Sequence, residues 1–187
     1  MRVAIFGGTF DPIHSAHLVM AHEAAEAFAL DRILFIPAGN PPHKEAGASY
    51  EDRFRMVELA CASDPRFEPS RIEEGREKSY SINTIERLIA PDQTLFFIIG
   101  ADAFAEIRTW RRWEDVVRNV EFIVVTRPGH DYLSPPGARV HRLDTVALPV
   151  SSSEIRQELS KGQTPLVLPA AVAEYIHARR LYRERTV

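Results

Sequence analysis

A single α/β domain, with a mostly parallel sheet covered by helices on both faces, is the fold class this sequence predicts. Three observations predict it. Uninterrupted apolar runs recur at Val3–Phe6, Ile33–Ile36, Leu95–Ile99 and Phe122–Val125, the pattern of strands buried on both faces. Segments with helical spacing separate those runs, and such alternation favours parallel strands joined by crossover helices. The length, 187 residues, is enough for one core and short for two.

Taken in order, Val3–Phe6 is a first strand closed by Gly7-Gly8, and Leu18, Ala21, Ala25 and Phe28 then mark a helix over 15–28. Ile33–Ile36 is a second strand, stopped by Pro37. Residues 38–49 form a long proline-bearing loop, and loops of that length usually carry function. Residues 51–62 and 82–89 read as helices, and 95–99 as a central strand. Residues 101–117 read as a helix broken near Thr109, ahead of the central strand at 122–125. Val140–Leu143 fits an edge strand, Ser152–Leu159 a helix introduced by serines, and Ala170–Tyr182 a last amphipathic helix. No repeat, low-complexity stretch or linker divides the chain, so 1–187 is expected to be one domain.

Composition narrows the function classes. Hydrophobic residues are 45% and charged residues 26%, with a net charge of −3. That is a globular balance with no global positive field for nucleic acid or anionic lipid, so phosphate binding must be local. Cys61 stands alone, which rules out an internal disulfide framework and fits a reducing compartment. The early Gly7-Gly8 leaves no room for a signal-peptide apolar region, and no run is long enough to span a bilayer. A cytoplasmic protein with neither nucleic-acid nor membrane partners is the expectation, with oligomeric state, homo-oligomer included, left open.

The most informative segment is Gly7-Gly8-Thr9-Phe10-Asp11-Pro12-Ile13-His14-Ser15-Ala16-His17. It lies where a strand passes into a helix, the place at which open α/β sheets bind ligands. Two glycines let backbone N–H groups approach an anion. A third dinucleotide-site glycine and the Gly-Lys-Ser/Thr of a phosphate loop are both absent. His14 and His17, three apart at a helix start, share a face and can donate to a phosphate there. His22 lies about 140° further round and leaves that face. A metal pair is the rival reading, without a cysteine or clear third ligand to support it; two idle surface histidines is the other.

This segment resembles the signature shared by nucleotidyltransferases and class I aminoacyl-tRNA synthetases, usually written His-x-Gly-His, with Ala16 in place of the glycine. The similarity to bacterial nicotinate-nucleotide adenylyltransferases runs nearly end to end. It implies a Rossmann-like fold and transfer of AMP from ATP to nicotinate mononucleotide, giving the dinucleotide precursor of NAD and pyrophosphate. His14 and His17 would then address phosphate, with Gly7, Gly8, Thr9 and Phe10 in the ATP site.

Later motifs carry the same resemblance. Pro41-Pro42-His43-Lys44 is similar to a loop whose basic residue, here Lys44, reaches the substrate phosphates; the alternative is one more solvated lysine. Ser79-Tyr80-Ser81-Ile82-Asn83-Thr84 resembles the segment that receives the pyridine nucleotide, which implies backbone N–H groups near Thr84 facing the ring carboxylate. Serine and threonine also start helices without ligands. Trp110 is placed to stack on the ring, whereas core packing suits Trp113 better. Asp102, after a strand and at a helix start, can accept from ribose hydroxyls or simply cap its helix. Arg127 belongs to a turn assigned to the mononucleotide phosphate, with a salt bridge as the alternative. Val150-Ser151-Ser152-Ser153-Glu154-Ile155-Arg156 resembles the family's Ile-Ser-Ser-Thr-x-Ile-Arg, an anion nest in which Ser151, Ser152, Ser153 and Arg156 meet the triphosphate. The C-terminal arginines need no partner, since cations suit a helix C-terminus.

Such a reaction needs no general base, because the attacking phosphate oxygen is already ionised. Catalysis reduces to aligning two anions and stabilising the charge between them. Mg²⁺ is expected on the ATP phosphates, keeping much of its water shell, with no dedicated protein ligands. The rival enzyme reading is adenylyl transfer to phosphopantetheine, against which Pro41-Pro42-His43-Lys44 and Trp110 stand. The rival from another class is an ATP-sensing module without chemistry. A synthetase fragment would need a Lys-Met-Ser-Lys-Ser-like loop, which is absent.

Overall fold

The computed structural model describes residues 1–40, 46–75, 78–146 and 150–183. Its centre is one six-stranded sheet formed by β1 (Arg2–Gly8), β2 (Arg32–Pro37), β3 (Phe67–Pro69), β4 (Thr94–Gly100), β5 (Glu121–Thr126) and β6 (Arg139–Asp144), in the order β3-β2-β1-β4-β5-β6. All five pairings are parallel. This is a Rossmann-like sheet, and its order reverses direction between β1 and β4. A crevice opens at such a reversal, beyond the carboxyl ends of the strands.

The helices are α1 (Ser15–Ala27), α2 (Tyr50–Cys61), α3 (Ser81–Leu88), α4 (Ala101–Ala105), α5 (Trp113–Asn119), α6 (Ser152–Ser160) and α7 (Ala170–Arg179). They divide between the faces because strand side chains alternate. Ala4, Phe6, Ile33, Phe35, Phe96, Ile98, Ile123 and Val125 point to one side, packing with α1, α2, α6 and α7. Val3, Ile5, Leu34, Ile36, Phe97, Ile99, Phe122 and Val124 point to the other, against α3, α4 and α5. With both faces covered, the strands must be apolar throughout, which is why they are legible as continuous runs.

Three details differ from the sequence reading. β3 is an addition to it: Phe67-Glu68-Pro69 offers one buried apolar residue and ends in a proline, which only an edge strand tolerates. The segment 101–117 holds two helices separated by a 3₁₀ turn at Ile107–Thr109, so the break near Thr109 is real but wider. The last helix stops at Arg179, where Arg180 turns left-handed (φ 54°) and the Leu181 N–H closes on the Ile176 carbonyl at 3.0 Å. Among the described residues no helix is long and apolar enough to cross a membrane.

Candidate active site

Among the cavities that the described residues form at the carboxyl ends of the strands, two share Gly100. The larger, about 530 Å³, lies between the start of α1, the β4–α4 turn, the end of β5 and the start of α6. Its walls include His14, Ala16, His17, Asp102, Arg127, Ser151 and Ser152. The smaller, about 240 Å³, sits at the switch point between the ends of β1 and β4. Ser79, Ser81, Thr84 and Trp110 line it, and so do Gly7 and Gly8, which the sequence reading put in the ATP site but which sit at the end of β1 on the wall of this cavity and not of the larger one.

The histidine pair stands where the spacing put it. His14 caps α1 and His17 occupies its first turn, with ring centroids 3.8 Å apart. The His14 backbone N–H donates to His17 Nδ1 at 3.2 Å. That bond fixes a tautomer: with Nδ1 accepting, the neutral His17 ring carries its proton on Nε2 and can donate it outward. His17 also lies edge-on to Phe10 and Phe6, at 5.1 and 6.0 Å, so its plane is held by packing. His14 Nδ1 and Thr126 Oγ1 are buried without a hydrogen-bond partner among the described residues. Unmet polar atoms on a cavity wall are costly to bury and fit a polar ligand.

Burial holds the His14 imidazole at about 4, below its ordinary 6.5. Burial, and secondarily His14 itself, keeps His17 well below that value too. At neutral pH the pair is therefore uncharged, acting through directed N–H groups rather than as cations. In the unfolded chain both would protonate near 6.5, while folded His14 resists until about 4. The unfolded state then binds more protons in that window, so stability should fall as pH drops from 6.5 toward 4. Urea midpoints at about pH 7.5 and pH 5 test this; the decline should shrink in His14→Gln, and an undiminished decline would assign it to other groups.

The expected residues divide between the cavity walls and positions away from them. Phe10 is 3% exposed, packed on Phe6 and Phe35, and its side chain lines neither cavity. Thr9 offers its carbonyl to the buried Arg53 guanidinium at 2.8 Å. Arg127, read as a mononucleotide contact, lines the larger cavity with the histidines and not the smaller one. It forms no ion pair among the described residues, so the salt-bridge alternative finds no support there. Asp102 does not cap α4; its carboxylate is fully exposed at the rim, 3.9 Å from His130. Trp110 is half-buried, edge-on to Phe97 at 5.7 Å, and still lines the smaller cavity. Lys44 lies outside the described residues.

The serine motif is tied to the first turn. Ser151 caps α6, exchanging bonds with Glu154, and Ser152 Oγ donates to the Pro12 carbonyl at 3.0 Å. Ser153 is exposed and lines neither cavity. Arg156 donates one N–H to the Asp11 carbonyl at 2.7 Å and is anchored there, off the wall of the larger cavity.

Two carboxylates carry weight that sequence reasoning missed. Asp11, 3% exposed, accepts from the Gly47 and Ala48 N–H groups at 2.6 and 3.1 Å and from the Tyr182 hydroxyl at 2.7 Å. It thereby joins the first turn to the end of the 38–49 loop and to the C-terminal segment. Glu73, 8% exposed, lines the smaller cavity and accepts from Thr84 Oγ1 at 2.7 Å. Asp11 lies inside the quoted motif, whereas Glu73 is hidden in a run of charged residues.

Residues 5–158 match the family model described as cytidylyltransferase-like. A probable nicotinate-nucleotide adenylyltransferase of Solibacter usitatus is 59% identical, covering 97% of this chain and 100% of its own length. One of the same description from Thermus thermophilus is 42% identical over 98% of this chain and all of its own. Among solved structures, a Plasmodium falciparum nicotinic acid mononucleotide adenylyltransferase complexed with NaAD superposes with a TM-score of 0.80. At 20% identity, covering 97% of each chain, that likeness speaks for the fold.

Proposed function

The chain belongs to the nicotinate-nucleotide adenylyltransferase family, and we infer that it transfers AMP from ATP to nicotinate mononucleotide, making nicotinate adenine dinucleotide and pyrophosphate in NAD biosynthesis. The observation that carries this reading is the pair of cavities sharing Gly100. The larger presents phosphate donors at two helix starts, and the smaller presents an aromatic ring and a helix start for a flat acceptor. Two substrates bound one in each would meet with their phosphates at the shared wall.

In this reading the acceptor's phosphate oxygen attacks the α-phosphorus of ATP, and the bond to pyrophosphate breaks with its electron pair leaving on that group. His14 and His17 donate N–H bonds to oxygens that gain charge as this happens, from positions fixed by packing before the substrate arrives. Ser151, Ser152 and the start of α6 receive the outer phosphates, with Arg156 beneath the turn; Lys44 joins them on motif resemblance alone. Asp102 is assigned to ribose hydroxyls at the rim, and the Arg127 guanidinium to phosphate in the larger cavity. Mg²⁺ accompanies the ATP phosphates and supplies neutralisation of their charge. Its fit is that of a hydrated ion brought by the nucleotide, since no group of three His, Cys, Asp or Glu side chains converges among the described residues.

The acceptor's ring carboxylate is assigned to open N–H groups at the start of α3, where Ser81 lines the smaller cavity. Thr84 is one turn further in, and its hydroxyl is already committed to Glu73. An amide in place of the carboxylate turns a donor toward donors, at roughly 1–3 kcal/mol for each unpaired group. With ATP, Mg²⁺ and each acceptor supplied, product masses should show dinucleotide from nicotinate mononucleotide at about 10²-fold higher kcat/KM than from the amide form. Product from phosphopantetheine instead, or ATP binding without turnover, would give the function to one of the rival readings.

A further inference from the structure

The smaller cavity is walled largely by the apolar strand ends Ile5, Phe6, Ile36, Phe97, Ile98 and Ile99, and among the described residues Glu73 is the only charged one lining it. A carboxylate 8% exposed in such a place is expensive unless something compensates it. Its described partner is neutral, the Thr84 hydroxyl. Among the described residues, Arg71 pairs with Glu51 and Glu74, Arg87 donates to the Ile72 carbonyl, and Arg111 lies over the Tyr80 ring. The backbone behind Glu73 is also fixed, because Gly39 packs so close that an added Cβ would sit 2.0 Å from the Glu73 carbonyl oxygen.

Nicotinate mononucleotide has a property that matches this arrangement. Its ring nitrogen bears the ribose, so the ring is a permanent cation, unlike the neutral bases of ordinary mononucleotides. We propose that Glu73, together with the face of Trp110, recognises the positive charge of the pyridinium ring and so selects the acceptor by ring charge; this rests on the acceptor assigned above. Cation and aromatic face attract in a desolvated site, and a carboxylate in the same cavity adds a direct electrostatic term that water screens little. The ring's own carboxylate is turned to the N–H groups of α3, so the zwitterionic head has an opposite partner at each end. Ring-charge selection and acid-over-amide selection are then separate functions of separate groups.

The probe is the 1,4-dihydro form of nicotinate mononucleotide, which keeps the phosphate, ribose and carboxylate but has no ring charge. Calorimetric titration of the full chain should show the oxidised form binding roughly tenfold or more tighter than the dihydro form. Glu73→Gln keeps an oxygen acceptor for Thr84 while removing the charge. It should narrow that ratio at least about threefold and leave ATP binding unchanged, which a merely structural role for Glu73 would not do. An unchanged ratio in Glu73→Gln overturns the proposal. So does a ratio near one in the wild type, a measurement that stands even if the variant does not fold. No binding of the oxidised form to the wild type, with no dinucleotide made, would instead overturn the acceptor assignment and the proposal with it.

Discussion

His17→Ala should lower kcat at least ~100-fold, about 2.7 kcal/mol of barrier. The structure sharpens the reason. The ring accepts the His14 N–H on Nδ1, so its outward atom is a donor, and burial keeps it from becoming a diffuse positive charge. Its value is greatest where negative charge grows at a fixed point, the condition of the phosphoryl oxygens in the transition state. Alanine also deletes the acceptor at the start of α1 and leaves space beside Phe6 and Phe10, which should cost about 1–2 kcal/mol of stability. The two effects separate cleanly: kcat is measured well below the melting temperature, and the melting temperature is measured alone. Near-normal turnover in a folded variant would remove His17 from the chemistry.

How much of this is legible in the sequence follows from what each residue contacts. Val3–Phe6, Leu95–Ile99 and Phe122–Val125 announce themselves because burial on both faces leaves no polar positions in a strand. β3 does not, since Phe67 alone among its three residues is buried. His14 and His17 are legible because their partners are each other, within one turn of helix. Asp11 is not, because its partners lie 36, 37 and 171 residues away, separations that no local pattern encodes. Glu73 is masked for a related reason: Ile72-Glu73-Glu74-Gly75 reads as a solvated charged turn until the tertiary structure turns one carboxylate inward. Arg127 and Phe10 show the converse limit. A motif places a residue near a site, but which wall its side chain faces depends on strand ends that sequence spacing does not resolve.

Asp11→Ala should destabilise the chain by about 3–5 kcal/mol, the scale seen when one member of a buried polar or charged network is removed. The side chain is 3% exposed, and it accepts from the Gly47 and Ala48 N–H groups and the Tyr182 hydroxyl. Removal leaves three donors facing a pocket with no acceptor, each costing about 1–3 kcal/mol before water enters to relieve some of it. Gly47 has little room to adjust, because an added Cβ there would already meet Arg156, Tyr182 and Asp11 within 3.4 Å. For a chain of this size each kcal/mol moves the melting temperature about 2–4 °C, so a fall on the order of 10 °C is expected. Tyr182→Phe supplies the comparison: it deletes one hydroxyl, leaves the carboxylate two backbone donors, and should cost only about 1 kcal/mol. Combining the two changes should add little to Asp11→Ala alone, since the hydroxyl then has no partner left to lose. A melting temperature within about 2 °C of the wild type for Asp11→Ala would show that the carboxylate merely occupies the turn, and that the loop end and the C-terminal segment are held by other contacts.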